Sequence, residues 1–211
     1  MVGFRACAAM AALLVLQCKY AWAEQRISDA ELAAELRAGG MVILMTHAAT
    51  NHDQADTQPL NYRRIFAQRQ LSEQGRQSAA RLGVALKVIG ARLTEAYTSR
   101  YYRAIETARL AGIVNIKPTL DLTEGGHVVS PNENKRRAAA LRELLAQPVL
   151  RGQNRFIITH RFNIIEAFGK EWFDVKEGEI LIFKSEAGTY SFLARLAFDE
   201  MTRIATTARS Q

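Results

Sequence analysis

Cysteine is nearly missing from this chain. Its two cysteines, Cys7 and Cys18, both lie within the first 23 residues. Beyond them there is no disulfide, no thiolate metal ligand and no cysteine nucleophile, so any catalysis falls to histidine, carboxylate, serine or a metal. Histidine is scarce too, at four residues. The net charge is +7, yet no concentrated run of Lys and Arg accompanies it, so nucleic-acid binding is not indicated. The mild excess is compatible with an anionic small ligand. Repeats, low-complexity tracts and internal linkers are lacking, which favours one domain with an ordinary core.

The first 23 residues read as a segment apart. Arg5 supplies a positive start, Ala6–Leu16 is a short apolar run, and Ala21-Trp22-Ala23 fits the small-x-small pattern of a signal-peptide cleavage site. The run is too short to span a membrane, which takes about 20 apolar residues, so no stable membrane insertion is expected. Cleavage after Ala23 would leave a domain of residues 24–211, periplasmic or secreted, with a net charge of +5, because Arg5 and Lys19 depart with no acid. The alternative is an N-terminal helix packed on the domain. Cys18 follows the bulky Gln17, where a lipoprotein site wants a small residue.

Periodicity divides the remainder. Ser28 caps a helix over Asp29–Arg37 that ends at Gly39-Gly40, and Met41–Met45 is a buried strand. Asn51–Asn61 is a polar loop. Ser72 opens a helix in which Gly75, Ala79, Leu82, Leu86 and Ile89 recur at three- and four-residue spacing until Gly90. A strand at Leu93–Thr98 and a helix at Tyr101–Ala111 follow. Next come a strand at Lys117–Leu122, a loop at Glu124–Asn134 and a helix at Glu133–Ala146. Arg155–Thr159 is a strand and Asn163–Phe168 a helix, and Gly178–Lys184 with Tyr190–Leu196 forms a closing hairpin. Alternating strands and helices predict a three-layer α/β/α sandwich on a mostly parallel sheet.

In such sheets ligands bind beyond the carboxyl ends of the strands. Two apolar runs, Met41–Met45 and Arg155–Thr159, each give way to Thr-His: Thr46-His47 and Thr159-His160. Both histidines therefore fall on the binding edge. The segment AYTSRYYRAIETA brings Arg103 to the same edge on the first turns of a helix, whose N-terminus also favours anions. Glu124 follows the next strand. Two imidazoles, a guanidinium and a carboxylate suit phosphoryl transfer, with one His attacking, the other His and the Arg holding anionic oxygens, and the carboxyl protonating the leaving oxygen. His52 and His127 read as surface loop residues, and the NHDQAD stretch of Asn51–Asp56 as a polar loop without calcium-loop spacing.

These motifs together resemble the histidine phosphatase superfamily, also called phosphoglycerate mutase-like, in its larger branch. Thr46-His47-Ala48 stands where the family has Arg-His-Gly. Thr98-Ser99-Arg100-Tyr101-Tyr102-Arg103 matches its second Arg motif, Leu71-Ser72-Glu73-Gln74-Gly75-Arg76 the segment opening the intervening helix, and Thr159-His160 with Asn163 its second-histidine motif. The resemblance spans nearly all of residues 41–200. It implies that His47 is the phosphorylated nucleophile, that Arg103 and His160 line the phosphate pocket, and that Glu124 is the general acid, with Asp121 and Glu133 as fallbacks. No cofactor and no metal are implied, and the partner expected is a small phosphorylated substrate. Thr46 departs from the pattern. It offers the phosphoryl group one neutral hydroxyl donor in place of a guanidinium fork. A lost donor of this kind costs about a hundred- to a thousandfold in rate. Arg161, directly after His160, and Arg100 are the candidates to replace part of that charge. The reading is thus an exported phosphatase of phosphomonoesters, impaired by Thr46. The alternative is a non-catalytic pseudophosphatase that binds a phosphorylated ligand, and a weaker third is a metal-dependent hydrolase using His47, His160 and a carboxylate.

Overall fold

The computed structural model describes residues 27–186 and 188–209. The proposed signal segment and its cleavage site lie outside these residues. Six strands and six α-helices build the domain: α1 (Asp29–Ala38), β1 (Met41–Thr46), α2 (Glu73–Ile89), β2 (Leu93–Ser99), α3 (Tyr102–Leu110), β3 (Ile116–Thr119), α4 (Pro131–Ala146), β4 (Asn154–Thr159), α5 (Arg161–Phe168), β5 (Ile180–Glu186), β6 (Thr189–Leu196) and α6 (Phe198–Arg209).

The strands form one sheet in the order β3-β2-β4-β1-β5-β6. Its pairings β2/β3, β2/β4 and β1/β4 are parallel, and β1/β5 and β5/β6 are antiparallel. The sheet is therefore mixed, and β5 runs against all the others. β1 and β4 sit in the middle and are buried along their whole length. That accounts for their unbroken apolar runs, because both faces are covered and polar alternation has no place. On one face Met41, Ile43 and Met45 of β1 and Phe156 and Ile158 of β4 pack with α1, α2, α3 and α6. On the other, Val42, Leu44 and Ile157 meet Leu141 and Leu145 of α4 and Ile164 of α5.

Local chemistry sets the boundaries. Ser28 and Glu31 close a capping box on α1, and Ser72 accepts from Gly75 N at the start of α2. Gly75 has a second reason to lack a side chain: a Cβ there would come within 2.0 Å of the Ala49 carbonyl oxygen. The start of α2 thereby locks the loop that follows His47, since Ser72 N also donates to that carbonyl (2.9 Å).

Four differences from the sequence reading have physical causes. β3 is shorter than Lys117–Leu122, because residues 120–122 turn into a 3-10 helix with Thr119 as its cap. α4 begins at Pro131, inside the expected loop: Ser130 caps it and Pro131 takes a first-turn position, where its missing N–H costs nothing. α5 starts at Arg161, two residues earlier than expected, directly after His160. A closing helix, α6, was not anticipated. It buries Met201, Ile204 and Ala205, at three- and four-residue spacing, against the face that carries α1 and α2.

Candidate active site

Register explains why the two Thr-His pairs meet. β1 and β4 are adjacent and parallel, with Thr46 paired to Thr159. The residue after each strand therefore emerges beside the other, and His47 N donates to Thr159 O at 3.2 Å. The imidazoles stand edge to face with centroids 5.1 Å apart, both almost wholly buried.

Their orientations differ, and so do their chemical capacities. His47 Nδ1 lies 2.9 Å from the Ala48 carbonyl oxygen. A carbonyl only accepts, so the proton sits on Nδ1 and the Nε2 lone pair is left for an electrophile. Burial first, then the Arg103 charge, lowers the His47 pKa to about 4, keeping the ring neutral across ordinary pH. His160 Nε2 lies 2.7 Å from Ser99 Oγ, and Ser99 Oγ also accepts from Tyr101 N at 3.1 Å. Among the described residues Nε2 is the only acceptor offered to that hydroxyl, so the serine O–H donates to Nε2 and the His160 proton sits on Nδ1. Nδ1 has no hydrogen-bond partner among the described residues and faces Glu124 Oε2 at 3.7 Å. Burial and the neighbouring Arg103 push the His160 pKa well below normal as well. One ring thus presents a lone pair to the crevice and the other a donor.

Arg103 enters from α3, with its guanidinium 1% exposed. Its Nη1 donates to Asp56 Oδ1 at 3.0 Å, its Nη2 stands 3.9 Å from Glu124 Oε2, and its plane lies 4.1 Å over the Tyr101 ring. Thr107 joins α3 to the histidine loop, accepting from Ala48 N (3.1 Å) and donating to Arg103 O (2.7 Å). Glu124 is partly exposed at the rim. Burial raises its pKa against the opposing pull of Arg103 and Arg69, which favours the protonated acid. The fallback acids stand elsewhere: Asp121 and Glu133 both pair with Arg136.

The structure thus brings together His47, His160, Arg103 and Glu124. Thr46 is placed otherwise: its hydroxyl donates to the Lys176 carbonyl at 2.6 Å, tying down the turn before β5. His52 and His127 are exposed loop residues. Three residues missed in the sequence also belong here. Asp56, read there as part of a bland loop, pairs with Arg103. Glu177 accepts from Thr50 N and Oγ1, each at 2.8 Å. Arg69 reaches Glu177 at 3.3 Å. No group of three or more His, Cys, Asp or Glu among the described residues is arranged to hold a metal ion.

Residues 42–128 match the model of the histidine phosphatase superfamily, branch 1. That stretch carries His47, Arg103 and Glu124, while His160 lies beyond it. Among solved structures, the chain is similar to the protein histidine phosphatase SixA complexed with tungstate. Identity is 17%, with 76% of this chain and 99% of that one covered, at a TM-score of 0.53. It is also similar to the product of an open reading frame of Mycobacterium tuberculosis, at 17% identity over 73% of this chain and 95% of the other, TM-score 0.53. A mycobacterial glucosyl-3-phosphoglycerate phosphatase complexed with VO3 is 14% identical over 75% and 100% of the two chains, TM-score 0.50. At these identities the likeness is one of fold. A search of curated proteins finds no match. Among the described residues no helix is long and apolar enough to cross a membrane.

Proposed function

We propose that this chain is an exported phosphatase of the histidine phosphatase superfamily, hydrolysing a small phosphomonoester through a phosphohistidine, with no metal in the chemistry. The observation that carries the reading is the buried His47, whose Nδ1 is held on the Ala48 carbonyl so that Nε2 keeps its lone pair beside Arg103 and His160. In the first step Nε2 attacks phosphorus, the bond to the leaving oxygen breaks, and Glu124 gives that oxygen its proton. Arg103 and the His160 Nδ1–H hold the anionic oxygens as charge develops. In the second step the Glu124 carboxylate takes a proton from water, which displaces phosphate from Nε2 and restores the free ring.

The match over residues 42–128 and the shared fold support the phosphatase class, and the site geometry supports the individual roles. A phosphatase panel run on the wild type beside His47→Ala tests the assignment. Activity should vanish in the variant and be indifferent to EDTA, whereas equal activity in both would place turnover elsewhere. Export is tested separately: the mature N-terminus should be Glu24, and recovery of full-length cytoplasmic protein alone would refute it.

A second reading has its own observation. Thr46 gives its hydroxyl to a backbone carbonyl, and the Arg103 fork is shared with Asp56. Those features favour a protein that binds a phosphorylated ligand without turning it over. Vanadate binding with no His47-dependent hydrolysis would select it.

A further inference from the structure

Arg69 is a guanidinium beside the crevice to which the steps above give no role. Arg69 lies in the irregular segment between β1 and α2 and is anchored at the crevice twice over. Its backbone N–H donates to Asp56 Oδ1 at 2.9 Å, the same oxygen that accepts from Arg103 Nη1. The neighbouring Gln68, buried, accepts from Tyr102 N (2.7 Å) and donates to Tyr62 O (3.1 Å), clasping the segment to the start of α3. The side chain is held separately, Nη2 facing Glu177 Oε1 at 3.3 Å. Glu177 is fixed in turn by both the backbone and the hydroxyl of Thr50.

Thr46 belongs to this arrangement. Its hydroxyl holds the Lys176 carbonyl, and Gly178 N donates to His47 O at 2.9 Å, so Glu177 is pinned between two ties to the end of β1. The Arg69 charge is felt throughout the crevice, where it depresses both imidazoles and favours ionisation of Glu124. Arg100 and Arg161, the replacements suggested by the sequence, are both exposed. Guanidinium carries five N–H donors, so contact with one carboxylate leaves others for a second anion.

Resting on the reading of the crevice as a phosphoryl site, we infer that Arg69 is its second phosphoryl-binding guanidinium, with Glu177 as the positioning residue. Arg69 supplies from a loop the charge that β1 does not carry at Thr46. Its remaining donors meet oxygens of the phosphoryl group. Because those bonds strengthen as charge develops, the contribution lies in kcat more than in KM.

The test is Arg69→Ala, Arg69→Lys and Glu177→Gln, each followed by orthovanadate titration calorimetry and by steady-state kinetics on p-nitrophenyl phosphate, with Arg103→Ala as reference. Arg69→Ala should lower kcat and vanadate affinity about a hundredfold. Arg69→Lys should recover part of that, keeping charge without the fork. Glu177→Gln should cost about tenfold, as a donor held in place becomes a wandering one. Loss of the Arg69 charge should also move the acid limb of kcat/KM upward, which a purely structural residue would not do. If Arg103→Ala abolishes vanadate binding while Arg69→Ala stays within about twofold of wild type, the crevice reading stands and this inference is overturned. If Arg103→Ala leaves vanadate affinity intact, both fall. Should Arg69→Ala fail to fold, Arg69→Lys decides: a native circular-dichroism spectrum with wild-type kcat and vanadate affinity overturns the inference, and a native spectrum with both reduced supports it.

Discussion

The two ends of the parallel strands both bury polar side chains, but they treat them differently. At the amino end, Asn154 accepts from Met41 N (3.1 Å) and donates to Leu36 O (2.7 Å), sewing β4 to β1 and α1. Arg155 reaches the carbonyls of Leu144, Gln147 and Pro148, although its Nε goes unmatched. At the carboxyl end, Arg103 Nε, His160 Nδ1 and Asn163 Oδ1 all lack a hydrogen-bond partner among the described residues, and His47 presents a lone pair. A buried polar group left unpaired costs about 1–3 kcal/mol. The amino end satisfies all of these groups but Arg155 Nε, whereas the carboxyl end leaves several open, as the proposed phosphoryl site requires. Substitutions should separate accordingly, moving activity at one end and stability at the other.

The largest separation is expected at His47. His47→Ala should lower kcat by at least about 10⁴-fold, since nothing else in the crevice can form the covalent intermediate. Its melting temperature should hold or rise, because a desolvated imidazole is being removed. A drop in melting temperature with retained turnover would reverse the comparison.

Glu124→Gln comes next, with an expected loss of about a hundred- to a thousandfold in kcat on substrates with poor leaving groups. The pH profile carries the sign. His47 loses its nucleophilic form as pH falls through about 4. Glu124 loses its proton at a pH raised above the ordinary carboxylate value by burial. The profile of kcat/KM should thus be a bell on the acid side of neutrality, and Glu124→Gln should remove its basic limb only. An alkaline optimum would exclude Glu124 as the acid.

How far these effects were legible beforehand differs between the two kinds of site residue. His47, His160 and Arg103 each follow a strand at a transition that hydrophobic periodicity marks, and one rule about strand ends placed all three. Glu124 follows a short strand, and the same rule put it on that edge. Asp56 and Arg69 sit in a loop without periodicity, and only folding brings them beside α3. Glu177 was recoverable in principle. It precedes β5, which runs against its neighbours, so the start of that strand falls on the edge where the others end. Thr46 shows the converse limit: its place at the end of the β1 run was plain in the sequence, while its bond to the Lys176 carbonyl was not.

A smaller effect links the carboxyl end back to stability. His47 takes up a proton near pH 6.5 when unfolded but only near 4 when folded. Protonation therefore favours the unfolded chain. Stability from this residue is fully kept above pH 6.5 and is lost progressively as pH falls toward 4. Urea midpoints should fall across that window, and His47→Gln should flatten the dependence; an unchanged slope would mean the ring is not desolvated. Smaller still, Asn154→Ala at the amino end should cost about 2 kcal/mol, from two buried backbone groups left unpaired, while kcat stays unchanged. A fall in kcat there would erase the distinction between the two ends.

The central claim is that the crevice at the carboxyl end works through a covalent bond to His47. Rapid acid-free quenching of the protein with a ³²P-labelled phosphomonoester, followed by peptide mapping, tests it most directly. The expected result is acid-labile, base-stable label on the peptide containing His47, absent from His47→Gln. Label on a serine, or turnover that persists in His47→Gln with no labelled peptide, would contradict it.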